Sequence, residues 1–161
     1  MQTPEPFPPP EPQEDDWLTP QPKPSRTFQD LSGLGQRLTW VAGLILAISA
    51  FTDWYVGSGP GPTTSVIGWH TGALGKLVLF IGLAVLALVV LREAGIELPA
   101  TVPESLVTIA LGALSTIFVL IRLISIPDDF FGAGRGIGIF ISLIASLLVI
   151  AAGLLRAGEE L

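Results

Sequence analysis

Residues 73–91, ALGKLVLFIGLAVLALVVL, decide the fold, because Lys76 is the one charged residue in this run of aliphatic and aromatic side chains. A helix needs about 20 mostly apolar residues to cross the hydrocarbon core of a bilayer, which is about 30 Å thick. The run also lacks the alternation of apolar and polar residues that is typical of a half-buried strand. It therefore predicts a membrane-spanning helix.

Three further stretches have the same character, so the predicted spans are residues 38–56, 73–91, 105–124 and 136–155. Glycine and proline break the intervals between them. Half of all residues are hydrophobic and 14% are charged, and the mean hydropathy is +0.65, which is more apolar than usual for a soluble domain. The sequence predicts an all-α membrane protein whose four transmembrane helices form two hairpins in an antiparallel bundle over residues 31–161.

The distribution of basic residues predicts the orientation of these spans. One side of the membrane would carry Lys23, Arg26, Arg37, Arg92 and Arg156, and the other would carry Lys76, Arg122 and Arg135. Short cytoplasmic segments are enriched in lysine and arginine, so both termini are expected in the cytoplasm of a multi-pass protein of the cell membrane. The first span follows a long polar segment and no A-x-A site follows it, so it is not expected to be a cleaved signal peptide.

Residues 1–30 form a tail that is rich in proline and acidic side chains. Such a chain has too little apolar surface to offset its conformational entropy, so it is predicted to be disordered with polyproline II character. Two interpretations of the tail stay open. It is either a solvated segment without a partner or a docking segment, in which residues 6–12 bind an aromatic groove of a protein partner.

The sequence contains no motif for catalysis, cofactor binding or metal binding. It has no cysteine and only one histidine, His70, which excludes thiolate nucleophiles and sites with two histidine ligands. The glycine-rich residues 132–138 lack the Lys-Ser/Thr ending of a phosphate-binding loop. The acidic tail argues against a nucleic-acid partner. We therefore expect a protein that is not an enzyme, with the lipid bilayer as its first partner.

Charged residues gather at the outer ends of the predicted spans. Arg122 would lie about one helical turn inside the water boundary, where an unpaired charge is costly. We predict that it forms a structural ion pair with Asp53 or Asp128. The alternative is a proton or anion site that includes His70. The middle of every span lacks ionisable residues, which disfavours conduction and coupled transport.

Two other groups of residues have predicted structural roles. Aromatic residues on both sides of the first outer loop are predicted to place their rings among the lipid headgroups: Trp54, Tyr55 and Trp69. Small residues recur at four-residue spacing near the start of the fourth span and predict a helix-packing stripe: Gly134, Gly138, Ser142 and Ser146. A lipid or a partner helix is the alternative occupant of that stripe.

Four short motifs follow one another along the spans. A Trp-Tyr pair ends the first span, Gly68-Trp69 opens the second, an arginine before an aliphatic-Pro-Asp turn ends the third at residues 122–128, and Gly-x-Gly-Ile-Phe opens the fourth at residues 136–140. This order resembles the uncharacterised small four-helix integral membrane proteins of high-GC bacteria. Thr52-Asp53 departs from that pattern, where Leu-Pro is more usual. The resemblance implies the fold and a membrane location, and no activity.

Two classes of function remain open. The first is a non-enzymatic structural or adaptor protein whose folded part anchors the proline-rich tail for partner recruitment. The second is an accessory subunit of a transport or cell-envelope complex, which would contact its neighbours through the transmembrane helices.

Overall fold

The computed structural model describes residues 26–57, 65–96, 99, 102–126 and 133–160, with side chains from residue 33 to residue 158 within these ranges. The predicted disorder of residues 1–25 lies outside them. Residues 26–30, which the sequence assigned to the tail, instead form the start of the first helix.

Four α-helices make up most of the described chain: α1 (Arg26–Ser49), α2 (Ala73–Glu93), α3 (Glu104–Ile124) and α4 (Ile137–Glu160). Three of them contain segments long and apolar enough to cross a membrane, namely Ala73–Glu93, Glu104–Ile124 and Ile137–Gly158. The apolar part of α1, Gly33–Ser49, is shorter. The mostly helical fold with membrane-type helices is thus confirmed.

The first predicted span was wrong at its end, because α1 stops at Ser49 instead of continuing to residue 56. The Thr52 hydroxyl donates to the Ser49 carbonyl at 2.6 Å, and the indole N–H of Trp54 donates to the same oxygen at 2.9 Å. These donors satisfy a carbonyl that the end of a helix leaves unpaired. The chain can then leave the helix without burying an unsatisfied polar group.

A small antiparallel sheet follows α1 and was not expected from the sequence. Its strands are β1 (Asp53–Gly57), β2 (Ser65–Ile67) and β3 (Ala133–Arg135), in the order β2-β1-β3. Tyr55 pairs with Val66 on one side and with Arg135 on the other. The sheet therefore joins the segment between α1 and α2 to the segment between α3 and α4. The fold is still mostly helical, consistent with the all-α prediction, and this small sheet is an addition to it.

The four helices pack against one another, so that α1 and α3 each contact both α2 and α4. Close approach depends on glycine at two of these contacts. A Cβ added to Gly82 of α2 would lie 2.7 Å from the backbone nitrogen of Ala47 in α1, and one added to Gly112 of α3 would lie 2.9 Å from that of Ile150 in α4. Small residues allow such contacts where no water drives association.

Large apolar side chains face outward along the bundle. Phe80, Ile117 and Leu147 are each half exposed or more, at 58%, 53% and 50%. The interior, in contrast, contains small or hydroxylated residues as well as aliphatic ones, including Ala42, Ser142 and Ser146. Exposed apolar faces of this extent are unusual on soluble proteins and fit helices that contact lipid.

Candidate functional site

The sheet end of the bundle contains two of the aromatic residues predicted to lie among headgroups, and their placement is corrected here. Trp54 and Tyr55 are fully buried. Both belong to the main core cluster, together with residues such as Val78 and Ile139. Protein atoms surround their rings because β1 folds back over the helix ends, so the rings pack inside the protein instead of lying exposed at its surface.

Tyr55 joins the sheet to the end of α3. Its hydroxyl donates to the Arg122 carbonyl at 2.7 Å. The neighbouring carbonyl of Leu123 accepts a hydrogen bond from the Arg135 side chain at 2.6 Å. The last carbonyls of a helix lack intrahelical donors and carry partial negative charge. Residues from β1 and β3 thus cap the C-terminal end of α3.

Burial raises the pKa of Tyr55 above its ordinary value of 10, while the nearby charges of Arg122 and Arg135 act in the opposite direction. The phenol therefore stays protonated at physiological pH and keeps its role as a donor. A group whose pKa is higher in the folded state binds its proton more tightly there than in the unfolded state. Its contribution to stability is complete below about pH 10 and is lost as the pH rises through the folded-state pKa.

We expect Tyr55→Phe to lower the free energy of unfolding by about 1 kcal/mol at neutral pH, because the Arg122 carbonyl loses its donor. Above pH 10 the free energy of unfolding should also fall less in the variant than in the wild type, because the variant has no phenol to ionise. Denaturant unfolding in mixed micelles at pH 7 and pH 11 measures both effects. The assigned role would be contradicted if the free energy of unfolding of the wild type falls no more between pH 7 and pH 11 than that of the variant.

The predicted ion pair of Arg122 has no counterpart among the described residues. The ion pairs there join Arg92 and Arg156 to Glu104, at the opposite end of the bundle. The Arg122 guanidinium instead lies over the start of α2, where its Nη2 atom is 2.8 Å from the position of a Cβ added to Gly72. Asp53 lies in β1. Asp128 lies outside the described residues, so its pairing with Arg122 stays a prediction.

Trp69 differs from the other two aromatics because it is only partly buried. Its ring stacks against Phe51 at a centroid distance of 6.4 Å and contacts Phe80 at 6.5 Å. The Lys76 ammonium lies 5.3 Å from its centroid, within the range of a cation–π interaction. An aromatic group with one cation suits a membrane interface, and the position of Trp69 among headgroups stays a prediction.

The small-residue stripe contacts other helices of the same chain. The Ser142 hydroxyl donates to that of Ser49 in α1 at 2.8 Å. Ser146 accepts a hydrogen bond from Thr116 of α3 at 2.9 Å. Gly138 lies against the backbone of Asp53. Gly134 is the exception, because it belongs to β3 and pairs with Val56. The stripe thus starts at Gly138, and α1, β1 and α3 occupy it.

The other end of the bundle contains an ion pair that sequence reasoning missed. Nη2 of Arg156 lies 2.7 Å from Oε2 of Glu104, and these side chains are 2% and 17% exposed. Arg92 approaches the same oxygen at 3.8 Å and is far more exposed. The sequence carried a signal, because Glu104 opens one span and Arg156 follows the next. Arg156 was interpreted only as a charge that sets orientation.

A groove lies beside this end, between α1 and α2. It has a volume of about 480 Å³ and is lined by Gly33, Gln36, Arg37, Trp40, Val41 and Glu93. Oε1 of Glu93 accepts hydrogen bonds from Gln36 and from the Trp40 indole, each at 3.3 Å. The groove therefore combines an aromatic wall with a charged rim. No sequence pattern marks any of these residues as a site.

Within the described part of the chain, no group of three or more histidine, cysteine, aspartate or glutamate residues is placed to hold a metal ion. The protein is therefore a helical bundle with membrane-type helices. A small sheet packs at one end of it, and a buried ion pair joins α3 to α4 at the other. Comparison with protein-family models, curated proteins and solved structures finds no match for this chain.

Proposed function

We propose that this protein is a non-enzymatic structural or adaptor protein of the cell membrane, whose bundle anchors the cytoplasmic, proline-rich tail for partner recruitment. All four helices would cross the bilayer in this proposal. The apolar part of α1, Gly33–Ser49, is near the lower limit of about 17 residues for a span. The extensive contacts of α1 with both α2 and α4 support its inclusion as the fourth span.

The occupied stripe on α4 is the observation that carries this proposal. Small-residue faces are the surfaces through which membrane helices associate most closely. Here Ser142 and Ser146 already bind Ser49 and Thr116 of the same chain, so this face is taken up within the bundle. Recruitment through the tail is then the simpler route to a partner. An accessory subunit that docks through its helices would need a different surface.

In this proposal, the end of the bundle that contains the Glu104–Arg156 pair lies in the cytoplasm. Arg92 and Arg156 lie in the last turns of α2 and α4, and Arg37 lies in the first half of the apolar part of α1, Gly33–Ser49. This distribution agrees with the enrichment of basic residues on the cytoplasmic side. The resemblance to small four-helix proteins of high-GC bacteria is part of the same proposal, and it concerns only the fold and the location.

Crosslinking in native membranes followed by co-purification tests the proposed function. The full-length chain is compared with a version that lacks residues 1–25, which leaves α1 whole. A third version of full length, with residues 6–12 replaced by glycine and serine, controls for tail length. Loss of the same partners in both altered versions is the expected result. Partners that both versions retain would overturn the proposal and favour an accessory subunit of a transport or cell-envelope complex.

A further inference from the structure

We propose that the groove beside Trp40 binds the chain's own segment 5–12, EPFPPPEP. The docked segment would lie against α1 and α2, near the end of the bundle that contains the Glu104–Arg156 pair. The inference does not depend on the proposed function, because the groove and the segment would associate whether or not the tail recruits a partner.

The chemistry of the groove suits a polyproline II helix. Trp40 provides an aromatic wall, and Val41, which is 52% exposed, continues it as an apolar surface. Grooves lined by aromatic side chains bind proline-rich segments, whose preformed conformation keeps the entropy cost low. The volume of about 480 Å³ falls within the usual range of binding clefts, about 300–1,000 Å³. Phe7 adds one large apolar side chain to the proline rings.

Charge and hydrogen-bonding groups also match. The segment carries two carboxylates, Glu5 and Glu11, and no cation. Glu93 of the groove is already bound by Gln36 and Trp40, whereas Arg37 is exposed and has no ion pair with any described residue. A proline-rich segment presents carbonyl acceptors and few N–H donors, and arginine supplies five donors. Arg37 is thus the complementary charge for the segment.

The length of the connection favours this occupant over others. The groove residues at positions 33–41 lie about 10–22 Å along α1 from Arg26, at about 1.5 Å per residue. Residues 13–25 connect the segment to α1. A linker of that length has an end-to-end distance of about 20 Å as a flexible coil and about 40 Å as an extended polyproline II helix, so the segment can reach the groove in either form. A linker that matches its span gives an effective concentration in the millimolar range. A weak affinity is therefore sufficient for docking.

Distance measurement between two spin labels on the full-length chain in lipid nanodiscs tests the proposal. The chain has no cysteine, so cysteines at Gln13 and Ala94 can be labelled without other changes. Gln13 directly follows the segment, and Ala94 is an exposed residue next to Glu93. We expect a narrow distance distribution in the otherwise unaltered chain. Phe7→Ser and Trp40→Ala should each at least double its width.

Two controls separate docking from damage to the fold. Trp69→Ala removes an indole at the opposite end of the bundle and should leave the distribution narrow. Phe7→Ser alters only the tail, so its effect cannot come from a damaged bundle. A broad distribution in the unaltered chain that neither Phe7→Ser nor Trp40→Ala changes would overturn the inference.

Other occupants of the groove give different results, each of which would also overturn it. The groove would be assigned to lipid by three results together. Native mass spectrometry detects a phospholipid on the chain, Trp40→Ala removes that phospholipid, and the distance distribution is broad. A narrow distribution that disappears when labelled protein is diluted with unlabelled protein would assign it to the tail of a second copy. Partner loss on tail deletion together with a broad distribution would refute docking and leave the proposed function intact.

Discussion

Replacing Trp54 by alanine should lower the free energy of unfolding by about 3–5 kcal/mol, the usual cost of truncating a fully buried aromatic side chain. Trp54 has no exposed surface. A Cβ added to Gly68 would lie 2.6 Å from its indole ring, so the ring fills the space beneath the segment that leads into α2. Its removal leaves a cavity and also leaves the Ser49 carbonyl with one donor fewer.

Trp69→Ala is the matched control for this prediction. Trp69 lies near the same end of the bundle but is only partly buried and contacts the exposed rings of Phe51 and Phe80. We expect a clearly smaller loss of stability, because a partly exposed ring is less enclosed by protein. Reversible denaturation in mixed micelles, followed by far-ultraviolet circular dichroism, measures both variants. Equal losses would indicate that Trp54 is an interfacial residue after all, as its sequence position predicts.

Glu104→Gln should destabilise the bundle by about 3–5 kcal/mol, because it leaves the buried Arg156 guanidinium without its counter-charge. Arg156→Met should have an effect of similar size, since Glu104 then loses its closest cation, which lies at 2.7 Å. The double variant Glu104→Gln/Arg156→Met should recover much of the stability, because apolar or neutral replacement of a whole buried pair is often close to neutral. The same denaturation assay gives all three values.

Arg92→Met provides the control for the ion pair. Arg92 lies 3.8 Å from the same Glu104 oxygen, but its side chain is 46% exposed. Exposed pairs contribute about 1 kcal/mol or less, so this variant should stay close to the wild type. A double variant that is as unstable as the sum of its single variants would show that Glu104 and Arg156 do not act as a pair.

The two ends of the bundle explain how the protein could serve as an anchor. At one end, Tyr55 and Arg135 bind the last carbonyls of α3, which ties the sheet to the helices. At the other end, the Glu104–Arg156 pair joins the start of α3 to the last turns of α4. Both connections fix helix ends rather than build a path through the membrane. This arrangement agrees with the proposed role of the bundle as a support for the tail.

The location of the helices could be predicted from the sequence with little error, except for α1, which begins at Arg26 and ends at Ser49 instead of spanning residues 38–56. An apolar run reports directly on helix length, because transfer into lipid depends on the residues of that run alone. α2 and α3 therefore match their predicted spans within two residues. The end of α1 was wrong because Trp54, Tyr55 and Val56 are apolar enough to continue a span and also favour a strand. Only pairing with β2 and β3 decided between these outcomes.

The sequence by itself determined the class of the protein, since hydropathy is a property of each segment and needs no knowledge of its neighbours. The tertiary structure alone decided which polar groups meet. Glu104 and Arg156 are far apart in the chain, as are Ser49 and Ser142, and no local pattern encodes their contact. The same holds for Trp54, whose aromatic character suits both a membrane interface and a core. Burial depends on what packs around a residue, and that is set by the bundle.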